Sequence, residues 1–436
     1  MRFGTDGFRG PIETEITPEF CLNLGFHTGK IILEKGYDSV IIGKDTRVSG
    51  YMLEAALQAG FISSGVDVKL AGPIPTPAVS FLTATYAGQF GVVISASHNP
   101  YQDNGIKFFN RHGRKVTENL EQEIEKRLNL PIKPVEASQL GKAFRIDSAS
   151  GRYIEYCKST LRGKHSFKDM KILVDGANGA NYKITPMLLE ELGAEVIRVN
   201  CDPDGFNINV DSAVLDQTQF AKYAKEYEFD YCAAVDGDGD RLVLADSEGN
   251  VFDGDDLLYL LARSNLERNI SGSHAVVGTE MTNQGVVEAL AKHNIKLFRS
   301  KVGDKFISRD LVNQELVLGA ETSGHIIQRN YSESGDANIA LIQSLTTIQE
   351  SGKALKDITS DIARYPHVLE SIPVKDKTII DGNDKQEKLE GIKDKFPTAR
   401  ISIRKSGTEN KIRMMVESKD KNQISDVMGH LKSLIK

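Results

Sequence analysis

The chain of 436 residues is too long for a single hydrophobic core and, at about 100 to 150 residues per domain, predicts three or four domains. Its composition, 40% hydrophobic and 26% charged with no tryptophan, is that of an ordinary enzyme in water, and a net charge of −6 without a long basic tract argues against nucleic acid or an anionic membrane as partner. No apolar stretch approaches the roughly 20 residues of a membrane span, the N-terminus lacks the apolar core of a signal peptide, and four scattered cysteines form no Cys-x-x-Cys pair, so the expectation is a cytoplasmic protein with reduced thiols and neither zinc nor disulfides.

The first segment, Gly4-Thr5-Asp6-Gly7-Phe8-Arg9-Gly10, is a Gly-rich turn that carries one guanidinium. Residues 40–45 then read as a short apolar strand, 52–61 as a helix-period segment and 66–70 as a second strand. The same order recurs at 172–177, 185–192 and 195–199, and again at 275–280, 284–293 and 295–298. Strand, helix and strand make the βαβ unit, whose crossover favours a mainly parallel sheet. Three copies predict three similar α/β domains, with one large doubly wound sheet as the alternative.

Residues 91–94 are a β-branched run suited to a buried strand, and they give way to Ser95-Ala96-Ser97-His98-Asn99-Pro100. Ser97 is therefore expected just past a strand end, in a loop. Asn99 before Pro100 is pushed out of the helical region and Asn104-Gly105 reads as a turn, so the segment is predicted to continue as neither helix nor strand. A serine, a histidine and, at Lys107, an ammonium group make a candidate reactive site; an inert Ala/Ser-rich turn is the plain alternative. Residues 130–134, with two prolines, either open a linker or belong to the first domain, and a helix at 152–161 leads into the second.

After a strand at 231–235 comes Asp236-Gly237-Asp238-Gly239-Asp240-Arg241. Carboxylates at alternate positions, separated by glycines that let the backbone curl, bring three oxygens to one hard cation, which suits Mg²⁺ when water or a phosphate oxygen completes the octahedron. An EF-hand fits poorly, because its sixth position would be Arg241 and its twelfth Ser247. A haloacid-dehalogenase-like phosphatase is the enzymatic rival, with Asp236 as nucleophile and Asp238 as general acid, but it leaves the Ser97 loop without a role. Farther on, Glu321-Thr322-Ser323-Gly324-His325 offers a carboxylate and a hydroxyl two residues apart, facing one way in an extended loop. From residue 365 the repeat is lost. Strands at 368–374, 399–404 and 412–417 with helices near 385–393 and 422–435 predict a smaller α+β domain. Within it, Arg404-Lys405-Ser406-Gly407-Thr408-Glu409, with Arg413 behind, has the hydroxyls, backbone donors and cations that a non-reacting phosphate requires. The predicted domains are 1–150, 151–250, 251–364 and 365–436.

In this order the motifs resemble those of the α-D-phosphohexomutases, which move a phosphoryl group between C1 and C6 of a hexose; Ser95 to Pro100 followed by Asn104-Gly105-Ile106-Lys107 carries the resemblance most strongly. It implies three α/β domains and a smaller fourth around a central cleft. It makes Ser97 the phosphoserine, and Asp236, Asp238, Asp240 and an oxygen on Ser97 the Mg²⁺ ligands. Arg9, His98 and Lys107 are then catalytic, with the proton left to either Lys107 or His98. Glu321 and Ser323, with His325 nearby, select the sugar, while Arg404, Ser406, Gly407, Thr408 and Arg413 clamp its phosphate, and Arg241 and Lys301 help make the cleft basic. The opening segment, the run from Leu318 to Ile327 and the loop from Arg404 to Glu409 stand closest to the bacterial branch acting on glucosamine phosphates. This implies interconversion of glucosamine 6-phosphate and glucosamine 1-phosphate toward UDP-N-acetylglucosamine. Glucosamine 1,6-bisphosphate is then the intermediate and a candidate activator, and a homodimer a candidate assembly. Glucose or mannose phosphate is the alternative substrate, and a sugar-phosphate-binding regulator the non-enzymatic one. Ala320 and Thr322 depart from that branch, which has Gly and Gln there; Asn410 replaces a usual Pro, and Asn207-Ile208-Asn209 is followed by Val210-Asp211-Ser212 where Cys-Gly-Ser is usual. No catalytic group is assigned to that last stretch.

Overall fold

The computed structural model describes residues 2–4, 6–86, 89–161, 163, 165–405 and 410–435. Among the described residues the three βαβ repeats build three separate sheets rather than one large one. In the first, Ser39–Lys44 pairs in parallel with both Asp67–Pro73 and Gln89–Ile94, as helical crossovers require. In the second, Lys171–Asp175 lies parallel to Glu195–Val199 and Tyr231–Val235, and in the third Ala275–Thr279 lies parallel to Lys296–Ser300 and Leu318–Ala320. These central strands are buried almost end to end and apolar in their middles, as strands covered on both faces must be.

The expectation of mainly parallel sheets needs correction at one edge of each. There the last parallel strand turns back as an antiparallel hairpin: Gln89–Ile94 with Asp103–Phe109, Tyr231–Val235 with Leu242–Asp246, and Leu318–Ala320 with Ile326–Gln328. The turns of these hairpins hold Ser97, the three aspartates and Glu321 to His325. The site loops are thus equivalent positions of one repeated topology.

Asn104-Gly105 is accordingly strand and not turn, since Asp103–Phe109 already pairs with two neighbours. Cross-strand fit overrides the local signal. A Cβ at Gly105 would lie 2.7 Å from the carbonyl oxygens of Phe8 and Ser95, and the Asn104 amide donates to Ser49 Oγ at 2.8 Å. Residues 130–145 return to the first domain: Leu130 accepts a bond from the His27 ring at 2.9 Å, and Ala143–Arg145 pairs with Asp67–Pro73.

One hydrophobic cluster runs through all three α/β domains, from Ile41 and Val93 through Ile172 and Val235 to Leu257 and Ile339. In the fourth, three antiparallel strands pack on Lys421–Ile435 through Met414, Val416, Val427 and Leu431. It docks on the third domain, where Arg400 donates to the Thr282 carbonyl at 3.0 Å and Glu417 accepts the Gln284 N–H at 3.1 Å. No helix among the described residues is long and apolar enough to cross a membrane.

The helices Pro18–Glu34 and Ser49–Ser64 cross at Gly25 and Gly60, where a Cβ would lie 2.5 Å from the Leu57 carbonyl and 2.7 Å from the Phe26 nitrogen respectively. Gly60→Ala should destabilise the protein by about 1–3 kcal/mol through overpacking. Denaturant unfolding reads this directly, and an unchanged midpoint would mean that the two helices part freely.

Candidate active site

Ser97 stands two residues past the expected start of its loop, 3% exposed, with the left-handed φ of 52°. A non-glycine residue there costs of order 1–3 kcal/mol and persists only if its surroundings impose it. They do. Its N–H donates to Ser95 Oγ at 2.9 Å, and Ser95 Oγ in turn donates to Asp45 at 2.6 Å. Arg47, completely buried, pairs with Asp45 at 2.9 Å and donates to the carbonyls of Ser97 and Asn99 at 2.9 Å each, of Asp103 at 3.2 Å, and of Pro100. One guanidinium thus donates to four carbonyls of the loop. The sequence reading missed a role for Asp45 and Arg47; the signal was a charged pair just past the strand Ser39–Lys44.

The Ser97 hydroxyl donates to Asp236 Oδ2 at 2.9 Å, joining the first hairpin to the second, and the Nδ1 of His98 lies 3.4 Å from the same Oγ. Asp236, Asp238 and Asp240 are buried, with ligand oxygens all within 4.8 Å of one another. Burial, then the charges of Asp240 and Asp238, push the Asp236 carboxyl up to about 7. Asp238 Oδ2 accepts from Thr76 Oγ1 at 2.6 Å and Lys107 Nζ at 2.7 Å, while its Oδ1 is buried with no hydrogen-bond partner among the described residues. Mutually repelling buried carboxylates with an orphaned oxygen are what a hard divalent cation satisfies, so these residues fit one.

The flanking charges come from all three α/β domains. Burial disfavours the Lys107 ammonium, but Asp238, Asp6 and Asp240 outweigh it and hold its pKa well above the ordinary value. Its Nζ is 2.7 Å from both Asp6 and Asp238. Asp6 also pairs with Arg9 at 3.4 Å and with Lys115, which reaches on to Asp304 of the third domain. Arg9 extends to Asn99 Oδ1 at 3.5 Å, beside the serine loop. Burial, then Arg241 and Arg9, lower the His98 imidazole to about 4. Arg241 lies 3.9 Å from Asp236 and 4.0 Å from Asp240. The sequence reading quoted Asp6 within the glycine-rich turn without giving it a role, and it passed over Thr76, whose local surroundings do not distinguish it.

The third hairpin is split in placement. His325, expected beside the sugar, is buried behind the aspartates, with Nδ1 3.5 Å from Asp240 and Nε2 3.8 Å from Asp304. Burial opposes its charge, yet Asp240 and Asp304 raise it to about 9. Its backbone bridges to Arg241, which seats the loop on the metal-loop hairpin. Glu321 is half-buried and accepts the Gly303 N–H at 2.8 Å; Thr322 donates to Asp255 at 3.0 Å; Ser323 is exposed. Glu321, Thr322 and Ser323 line a cavity of about 190 Å³ with Leu369 of the fourth domain. Lys301 is exposed, two residues before Gly303. Arg404 and Arg413 stand opposite each other on adjacent strands, lining a neighbouring cavity of about 200 Å³, and burial and then Arg413 lower the pKa of Arg404. Ser406, Gly407 and Thr408 lie outside the described residues.

Four successive segments match the phosphoglucomutase/phosphomannomutase family: alpha/beta/alpha domain I over residues 1–131, domain II over 151–249, domain III over 253–365, and the C-terminal domain over 350–431. The chain is 44% identical over 444 residues to a phosphoglucosamine mutase of Hydrogenovibrio crunogenus, covering 100% of this chain and 98% of that one. It is likewise 44% identical over 431 residues to a phosphoglucosamine mutase of Pectobacterium atrosepticum, covering 97% and 95%. A solved phosphoglucomutase/phosphomannomutase family protein from Burkholderia thailandensis superposes with a TM-score of 0.82 at 20% identity, over 99% of this chain and 96% of that one, a likeness of fold.

Proposed function

The chain belongs to the phosphoglucomutase/phosphomannomutase family, and from that premise we propose that it interconverts glucosamine 6-phosphate and glucosamine 1-phosphate through a phosphorylated Ser97. The observation that carries the reading is the 2.9 Å contact between Ser97 Oγ and Asp236, a nucleophile and a three-carboxylate cluster delivered by hairpins of different domains. It also gives a role to the Ser97 loop, which the phosphatase alternative leaves without one.

Asp236, Asp238 and Asp240 would hold Mg²⁺, which when bound supplies positive charge at the phosphate carried on Ser97. Ser97 gives that phosphoryl group to the free hydroxyl of the sugar monophosphate, breaking the P–Oγ bond. The resulting glucosamine 1,6-bisphosphate turns round, and Oγ attacks its other phosphorus to regenerate phosphoserine and release the isomer. Because phosphoryl transfer rests on positioning and charge stabilisation, Arg9 and Lys107 serve as fixed cations at the transferring group. Of the two candidates for the proton, Lys107 is engaged by Asp6, Asp238 and Asp240, which favours His98, 3.4 Å from Oγ. Arg404 and Arg413, with Ser406, Gly407 and Thr408, hold the phosphate that does not react, while Glu321 and Ser323 meet the sugar hydroxyls, with Arg241 and Lys301 adding positive charge. The product feeds synthesis of UDP-N-acetylglucosamine in the cytoplasm.

The sugar preference is testable on its own. Glucose, mannose and glucosamine phosphates share the 3- and 4-hydroxyls, so discrimination at C2 should be modest, on the order of 10 to 200-fold unless a buried partner reads the amine. In a competition assay glucosamine 6-phosphate is expected to show the highest kcat/KM, with side activity on glucose 6-phosphate. A higher value for either neutral hexose would overturn the assignment.

A further inference from the structure

The stretch Asn207-Ile208-Asn209 has no part in the chemistry so far, yet it reaches the serine loop from the second domain. Asn209 is buried, with a left-handed φ of 64°, and its own N–H is tied to the Ala177 carbonyl at 2.8 Å. Its side-chain amide donates to the carbonyls of Ser97 at 2.8 Å and Asn99 at 3.0 Å. These are two of the carbonyls that Arg47 reaches from the first domain, at 2.9 Å each. Gly237, between the first two aspartates, completes the seat: a Cβ there would lie 2.7 Å from the Ser97 carbonyl oxygen and 2.8 Å from Asn209 Nδ2.

On the mutase reading above, we propose that Asn209 is a positioning residue for the Ser97 nucleophile, acting on the Ser97 and Asn99 carbonyls and making presentation of Oγ depend on the seating of the second domain against the first. The Ser97 residue is held at both ends, its N–H by Ser95 and its carbonyl by Arg47 and Asn209 together. With the backbone so fixed, rotation about χ1 is the freedom left to Oγ. Loss of Asn209 leaves Arg47 in place, so the loop stays folded while the carbonyl loses the donor that ties it to the second domain. A displacement of about 1 Å at a reacting atom costs on the order of 10²-fold in rate.

Asn209→Asp and Asn209→Gly both tolerate the left-handed backbone and both remove the amide donor, the aspartate also setting a carboxylate against the two carbonyls and the glycine leaving them without a repelling group. Both are expected to keep the wild-type circular dichroism, to lose about 10 to 100-fold in kcat with KM within about twofold, and to slow by the same factor the transfer of phosphate from a hexose 1,6-bisphosphate to Ser97, followed by intact mass. Amide hydrogen exchange should quicken across residues 97–103 and stay unchanged in the central strands. Wild-type kcat in either variant, a change in KM alone, or faster exchange throughout the chain overturns the proposal. If the wild-type protein turns over no sugar phosphate while the variants still loosen 97–103, the mutase reading falls and the clamp on Ser97 stands.

Discussion

Ser97→Ala is expected to lower turnover of the sugar phosphate by about 10⁴-fold or more, because it removes the atom proposed to accept and return the phosphoryl group. The fold should be untouched. Arg47 and Ser95 hold the loop through the Ser97 backbone, and those bonds do not involve the hydroxyl. Intact mass after incubation with a hexose 1,6-bisphosphate should show one added phosphate on the wild type and none on the variant. Peptide mapping should place it on Ser97 as an acid-stable, hydroxylamine-resistant ester. A hydroxylamine-labile phosphate on Asp236, with Ser97 unmodified, would transfer the nucleophile to the aspartate and restore the phosphatase alternative.

The second large effect belongs to the aspartate cluster. Asp238→Asn keeps the shape of the side chain and its bond with Thr76, but removes one of three charges from the proposed Mg²⁺ site. Turnover should fall by at least about 10²-fold, and the Mg²⁺ concentration for half-maximal activity should rise. Stranding the buried Lys107 ammonium would be costly, but Asp6 remains 2.7 Å away as its partner, so the variant should fold. Circular dichroism and a Mg²⁺ titration of activity check both statements. Full activity of the variant in EDTA would remove the metal from the mechanism.

Some of this protein is written locally in its sequence. The strand–helix–strand order, repeated three times, predicts three α/β domains because apolar periodicity and crossover length are properties of short segments. Asp236-Gly237-Asp238-Gly239-Asp240 is legible for the same reason: alternate carboxylates on a curling backbone converge whatever surrounds them. The loop holding Ser97 is legible from the end of its apolar strand, and its chemistry from resemblance.

Tertiary structure decided what local signals cannot carry. Asn104-Gly105 reads as a turn and is a strand, since pairing with two neighbours outweighs the preference of two residues. His325 reads as part of a sugar loop and is buried against Asp240, because the third hairpin docks on the second. Arg47, Thr76 and Asn209 act on partners 50, 162 and 112 residues away. A hydrogen bond of that span depends on how whole domains seat against one another, so neither the residue's type nor its neighbours in the chain announce it. The sequence by itself named the groups proposed to carry the chemistry. Only the packing of the hairpin turns decided that Ser97 meets the aspartates, and which buried donors hold it there.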